Sequence, residues 1–214
     1  MKISRFLAVA GLVAAGTAMA GGGGGNNSYT LFKFDGGTGN QVFRSGAGGV
    51  PTVNTVAGVN AAGAPWGLTS FDATIKSNGD IRATAEGILL LGADGIGSRA
   101  GPRQLILSLF CRAAPVAPAV TGALNLVPFN SEPVDLNEDG DFNLRSKLTD
   151  ATGATPPLNC GDTVDNRPIL LIRSVTPANP TTGAPAAPAA WFAAGFLAGK
   201  HRDGHGGKGD WDRN

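Results

Sequence analysis

The chain has 214 residues, with 17 Lys or Arg against 16 Asp or Glu, and 33 Gly and 14 Pro. That length suits one domain, and a charge so near balance excludes a surface that holds nucleic acid or an acidic membrane by bulk charge. Only 15% of the residues are charged, a low share for a cytosolic enzyme and an ordinary one for an exported, turn-rich β protein.

The first twenty residues, MKISRFLAVAGLVAAGTAMA, combine a basic start (Lys2, Arg5), an apolar run from Phe6 to Ala15 and a small-x-small ending at Ala18-Met19-Ala20. They read as a secretory signal peptide, because the apolar run is too short to cross a bilayer. Cleavage after Ala20 takes twenty of the 214 residues and leaves 194, with fifteen basic and sixteen acidic side chains. No Cys stands next to the cleavage point, so a lipid anchor is not expected, and no later stretch is long and apolar enough for a membrane anchor. Residues 21–27, GGGGGNN, read as a flexible linker. Residues 28–198 are expected to form the folded domain, and 199–214 a disordered tail of Gly and mixed charges. The tail holds both histidines, His201 and His205, and also Trp211.

Between the ends the hydrophobic period is two. Ser28 to Phe34 reads as a first strand. In FDATIKSNGDIRATAEG, Phe71, Ala73 and Ile75 alternate with polar residues, as do Ile81, Ala83 and Ala85, which marks a half-buried hairpin. A two-residue Asn78-Gly79 turn would set Ile75 against Arg82. A three-residue turn, Ser77-Asn78-Gly79, sets Ile75 against Ile81, Ala73 against Ala83 and Lys76 against Asp80. The second register keeps core and solvent faces apart, so it is the expected one, with Gly79 left-handed. Arg103 to Arg112 alternates imperfectly and reads as a strand buried on both faces; 122–129 and 142–148 read as further strands. Pro168 to Val175 is strongly apolar and reads as a central strand, and Ala190 to Phe196 as the last one. Pro-rich stretches at 112–122 and 176–190 read as loops, and no amphipathic helix is found after the leader. The expected fold is therefore all-β: a single antiparallel β-sandwich of seven or eight strands with disordered termini.

The two cysteines, Cys111 and Cys160, are expected to form one disulfide in an oxidising compartment. Closing a loop of about 50 residues contributes roughly 4 kcal/mol on the chain-entropy view.

The runs FDGGTG, NTVAGVNAAGAPWGL, GDIRATAEGILLLGADGIG, LILSLFC, VDLNEDGDFNLRSKL, NC followed by PILLI, and AWFAAGF span roughly residues 32 to 197. Together they resemble a group of uncharacterised exported bacterial proteins. The resemblance implies a secreted β domain with paired cysteines, and it carries no activity, cofactor or catalytic residue.

The chemistry of the side chains excludes several mechanisms. A Ser–His site would need the tail to fold back, since both histidines lie there. Ser98 in GSRAG stands one place early for a nucleophile elbow, and GIGSRAG has the wrong spacing for a dinucleotide turn. Asp72, Asp80, Glu86 and Asp94 are carboxylates that a glycosidase could use, but Asp72 and Glu86 fall on the polar phase of a hairpin. Trp66, Trp191 and Phe192 could stack on sugars, and core packing is the expected use of all three. Residues 135–143, DLNEDGDFN, place Asp135, Asn137, Asp139 and Asp141 at positions 1, 3, 5 and 7 of a calcium loop. Position 12 falls on Ser146 where the bidentate Glu should be, leaving Glu138 or Glu132 to substitute. The same stretch also fits a three-residue turn, Glu138-Asp139-Gly140, which sets Leu136 against Phe142 and Val134 against Leu144. The turn is the preferred assignment, and no cofactor is expected, with calcium at this loop as the alternative. The expected role is an exported, non-enzymatic structural or interaction domain, periplasmic or extracellular, acting on an envelope or extracellular partner. The alternative is a weak calcium- or carbohydrate-binding module.

Overall fold

The computed structural model describes residues 28–41, 43–45, 50–52, 54–92, 94–99, 101, 104–112, 126–161, 167–176, 181 and 187–199. The expected leader, linker, His201, His205 and Trp211 lie outside these residues, as does the expected tail beyond Gly199.

Thirteen strands and no helix are found among the described residues: β1 (Thr30–Gly39), β2 (Phe43–Ser45), β3 (Val50–Thr52), β4 (Thr55–Val56), β5 (Val59–Asn60), β6 (Ser70–Lys76), β7 (Asp80–Glu86), β8 (Gln104–Arg112), β9 (Leu126–Asn130), β10 (Val134–Asp135), β11 (Phe142–Lys147), β12 (Ile169–Thr176) and β13 (Ala187–Gly199). Eight of them have five residues or more. The all-β antiparallel class is as expected. β2 pairs only with β3 and β4 only with β5; the other nine strands share one sheet in the order β10-β8-β12-β13-β1-β6-β7-β11, with β9 also on β8.

The β6–β7 hairpin has the register that sidedness dictated, with Ile75 opposite Ile81 and Ala73 opposite Ala83, and Gly79 left-handed at φ +85°. The expected Lys76–Asp80 pair is not made. Asn78 Nδ2 donates to the Asp80 carboxylate at 2.8 Å, a shorter and more local partner, and no ion pair joins Asp80 to Lys76.

β8 is buried on both faces from Leu105 to Cys111, which explains its broken alternation. Leu105, Leu107 and Leu109 join the main core with Phe34, Phe71, Ile75, Leu144, Leu170 and Ile172. The opposite face carries a second cluster, Phe110, Leu171, Trp191 and Ala61, against which Val56 and Val59 of the β4–β5 hairpin pack. β12 is central, between β8 and β13. β13 starts earlier than its Pro-rich sequence implied, and takes in Pro188 opposite Val175. Pro is tolerated there because β1 pairs only with the later part of β13, so the Pro188 nitrogen faces no second ladder.

β1 likewise runs on through Gly36, Gly37 and Gly39. Gly37 allows a close approach: a Cβ there would stand 2.6 Å from the Ala194 carbonyl oxygen. Past the strand, Asn40 is fully buried. Its Nδ2 donates to the carbonyls of Ala62 (3.0 Å) and Trp191 (3.3 Å), and its Oδ1 accepts from the Trp66 N–H (3.0 Å). One satisfied amide thus ties the 61–66 segment to β13. Trp66, Trp191 and Phe192 are all core residues, as expected, and Trp66 packs on Phe192 with ring centres 4.4 Å apart. Cys111 and Cys160 form the expected disulfide.

The two ends of the sheet meet. β9 and β10 run along β8 as one strand interrupted at 131–133, where Ser131 stands in for the ladder: its N–H donates to Leu107 O (2.9 Å) and its Oγ accepts from Leu107 N–H (3.0 Å). Across the gap, Asn130 and Thr149 exchange both backbone bonds at 2.8 and 3.0 Å, and the Glu132 N–H donates to Ser146 Oγ at 3.0 Å. The curled sheet therefore encloses the main core, with a seam between β9–β10 and β11.

Candidate functional site

Both polar features worth weighing lie on this seam. The first is the acidic corner between β10 and β11. The expected three-residue turn is formed: the Asn137 N–H donates to Asp141 O (3.0 Å), the Gly140 N–H to Asn137 O (3.2 Å), and Gly140 has φ +80°. The ladder expected beyond it, with Val134 facing Leu144, is not. Val134 pairs with Leu105 of β8 and Leu144 with Ala83 of β7, because each strand of the corner belongs to a different end of the sheet.

The residues placed at calcium-loop positions each have a structural partner or face solvent. Asp135 Oδ1 accepts from Gln104 Nε2 (3.1 Å), Asn137 Oδ1 from the Asp141 N–H (2.8 Å), and Asp141 Oδ1 from the Gly87 N–H (2.9 Å). Glu138 pairs with Arg99 at 3.0 Å, with Glu138 91% exposed, a surface ion pair of small worth. Asp139 is exposed and bonds to none of the described residues. Among the described residues no three His, Cys, Asp or Glu converge.

The corner recurs at Asp150-Ala151-Thr152-Gly153-Ala154, which sequence reasoning passed over. The Asp150 N–H donates to Ala154 O (2.9 Å), the Gly153 N–H to Asp150 O (3.1 Å), Asp150 Oδ1 accepts from the Ala154 N–H (2.9 Å), and Gly153 has φ +85°. The signal was an Asx residue three places before a Gly, in DATG as in NEDG. Asp150 Oδ1 also accepts from the Thr152 N–H (2.8 Å) and hydroxyl (2.7 Å). The Thr152 hydroxyl is the chief reason that the Asp150 carboxyl is held below its ordinary range.

The second feature is a cleft of about 340 Å³ beside this corner, lined by Pro128, Asn130, Glu132, Thr149, Asp150 and Thr152 among others. It lies at the low end of the size range of ligand clefts. Behind it, on the outer face of the sheet, Arg173 is only 9% exposed. Its Nε donates to Ala189 O (2.9 Å) and its Nη1 to Ser108 Oγ (3.3 Å), and its guanidinium stands 6.0 Å from the centre of the Phe110 ring. Burial pushes its pKa down, but an arginine stays protonated. Among the described residues no carboxylate pairs with it. Ser108, fully buried, passes the polarity on by donating to Asn130 Oδ1 at 2.6 Å. The signals for Arg173 and Ser108 were single polar residues inside the apolar runs LLIRSV and LILSLF.

Of the other candidates, Asp72 and Glu86 stand exposed on the outer face of β6 and β7, and Asp80 is held by Asn78 at the hairpin end. Asp94 lies in an exposed turn, and Ser98 closes that turn by donating to Gly95 O at 2.6 Å. None of these carboxylates lines the seam cleft. Compared with known family models, with curated proteins and with solved structures, the chain finds no match.

Proposed function

We propose that this protein is an exported, non-enzymatic binding or structural domain that acts in the periplasm or outside the cell on an envelope or extracellular partner. The observation that carries the export is the Cys111–Cys160 disulfide, which uses both cysteines of the chain. Such a bond persists in an oxidising compartment and agrees with the leader-like residues 1–20. No helix among the described residues is long and apolar enough to cross a membrane. The non-enzymatic part is supported by where the reactive groups fall. Asp72 and Glu86 are solvated on a sheet face, Asp80 and Asp141 are engaged in turns, and Ser98 sits in a surface turn with no base bonded to it among the described residues.

The test is a screen of the purified full chain against ester, peptide and glycan substrates. The expected result is no turnover above background. Turnover of any substrate that one point mutation abolishes would overturn the reading.

A further inference from the structure

We propose that the seam cleft between β9 and the 149–152 corner binds a neutral polyhydroxylated ligand of about monosaccharide size, recognised jointly by the Asn130 amide and the Glu132 and Asp150 carboxylates. The assignment rests on the binding reading above and names its site and ligand class.

The orientation of the Asn130 amide decides the chemistry. Ser108 is fully buried and accepts a hydrogen bond from Arg173 Nη1, which can only donate. The Ser108 proton therefore needs an acceptor, and the only side-chain atom offered among the described residues is on Asn130, 2.6 Å away. Asn130 must present its oxygen to Ser108, which leaves Nδ2, with two N–H donors and no partner among the described residues, for the cleft that Asn130 lines. The buried charge of Arg173, with no carboxylate partner among the described residues, polarises this chain of bonds and strengthens the Nδ2 donors.

Opposite these donors the cleft offers acceptors. Asp150 Oδ1 is used inside its corner, and Oδ2 has no partner among the described residues. Glu132 is exposed, and its backbone alone is hydrogen-bonded. Pro128 adds an apolar wall. Fixed N–H donors oppose a bare cation, and two carboxylates oppose an anion. A ligand that both donates and accepts at neighbouring atoms satisfies both sets, and adjacent hydroxyls of a sugar ring do this while the ring's C–H face covers proline.

The experiment is a titration of the isotope-labelled full chain by NMR with glucose, mannose, galactose and N-acetylglucosamine, and separately with calcium chloride and sodium phosphate. The expected result is saturable movement of the Asn130 side-chain N–H pair and of the Thr152 and Ala154 amides with at least one sugar. Asn130→Asp keeps the acceptor for Ser108 and removes the donors; it should weaken binding at least tenfold while the amide spectrum stays folded. Glu132→Ala, whose exposed side chain has no hydrogen-bond or ion-pair partner among the described residues, should also weaken it, and Asp72→Ala on the far sheet face should not. No movement with any sugar, or movement with calcium or phosphate only, would overturn the assignment while leaving the export and non-enzymatic reading untouched. Cleavage of an oligosaccharide of the bound sugar would overturn the non-enzymatic reading and leave the cleft assignment standing.

Discussion

Gly140→Ala separates two costs that the three related turns combine differently. Gly79, Gly140 and Gly153 all have φ between +80° and +85°, where any residue with a Cβ loses roughly 1–2 kcal/mol. Around Gly153 a Cβ would meet nothing within 4 Å, so Gly153→Ala carries that conformational cost alone, about 1–2 kcal/mol. At Gly140 the same Cβ would stand 2.7 Å from both the nitrogen and the oxygen of Ile88. Those are backbone atoms, and the Ile88 N–H already donates to Gly140 O at 2.8 Å, so the strand end must shift. Overpacking of this kind adds about 1–3 kcal/mol, for a total of about 2–5 kcal/mol. Gly79→Ala falls between, since its nearest neighbour is the Thr155 methyl at 2.8 Å, the end of a side chain that can turn away. Urea unfolding of the oxidised proteins measures all three. Against a total stability of roughly 5–15 kcal/mol, Gly140→Ala should bring the midpoint far down or unfold the domain. If Gly153→Ala costs as much as Gly140→Ala, Gly140 is not packed against the Ile88 backbone and the reasoning fails.

Other outcomes follow from the same geometry. Asn137→Ala removes the acceptor for the Asp141 N–H and should cost about 1 kcal/mol in urea unfolding; Asp139→Ala should cost nothing measurable, and a calcium-dependent rise in melting temperature that Asp139→Ala abolishes would establish the calcium reading instead. Because the folded-state pKa of Asp150 is depressed, its contribution is fully present above the ordinary value of 3.8 and is lost as pH falls through the lower folded value; Asp150→Asn should flatten that part of the acid-unfolding curve, and an unchanged curve would contradict the assigned hydrogen bonds. Reducing the disulfide, which spans a sequence separation of 49, should lower stability by about 4 kcal/mol, read as a drop in urea midpoint with and without reductant.

Local rules predicted local structure well here. The β6–β7 register followed from keeping Ile75 and Ile81 on one face, and the strength of Pro168 to Val175 as a central strand followed from its unbroken apolar run. The failures that shape the fold are long-range. Nothing in DLNEDGDFN says that Val134 will prefer Leu105 to its nearer neighbour Leu144, because that choice depends on where the two ends of the sheet meet. The glycines of FDGGTG look like loop residues until Ala194 is seen against Gly37. Half of the cleft was open to inspection, since Glu132 and the Asp of DATG are polar loop residues. The rest was hidden, because Asn130, Ser108 and Arg173 lie on three separate strands and are joined only by the pairing of β9, β8 and β12.

The most direct test of the proposed export is intact and peptide-level mass spectrometry of the protein recovered from the cells that make it, alkylated before any reductant is added. The account predicts a chain beginning at Gly21, recovered from the periplasm or the medium, with Cys111 and Cys160 linked and neither alkylated. A chain still beginning at Met1, inside the cytoplasm with both thiols free, would contradict it.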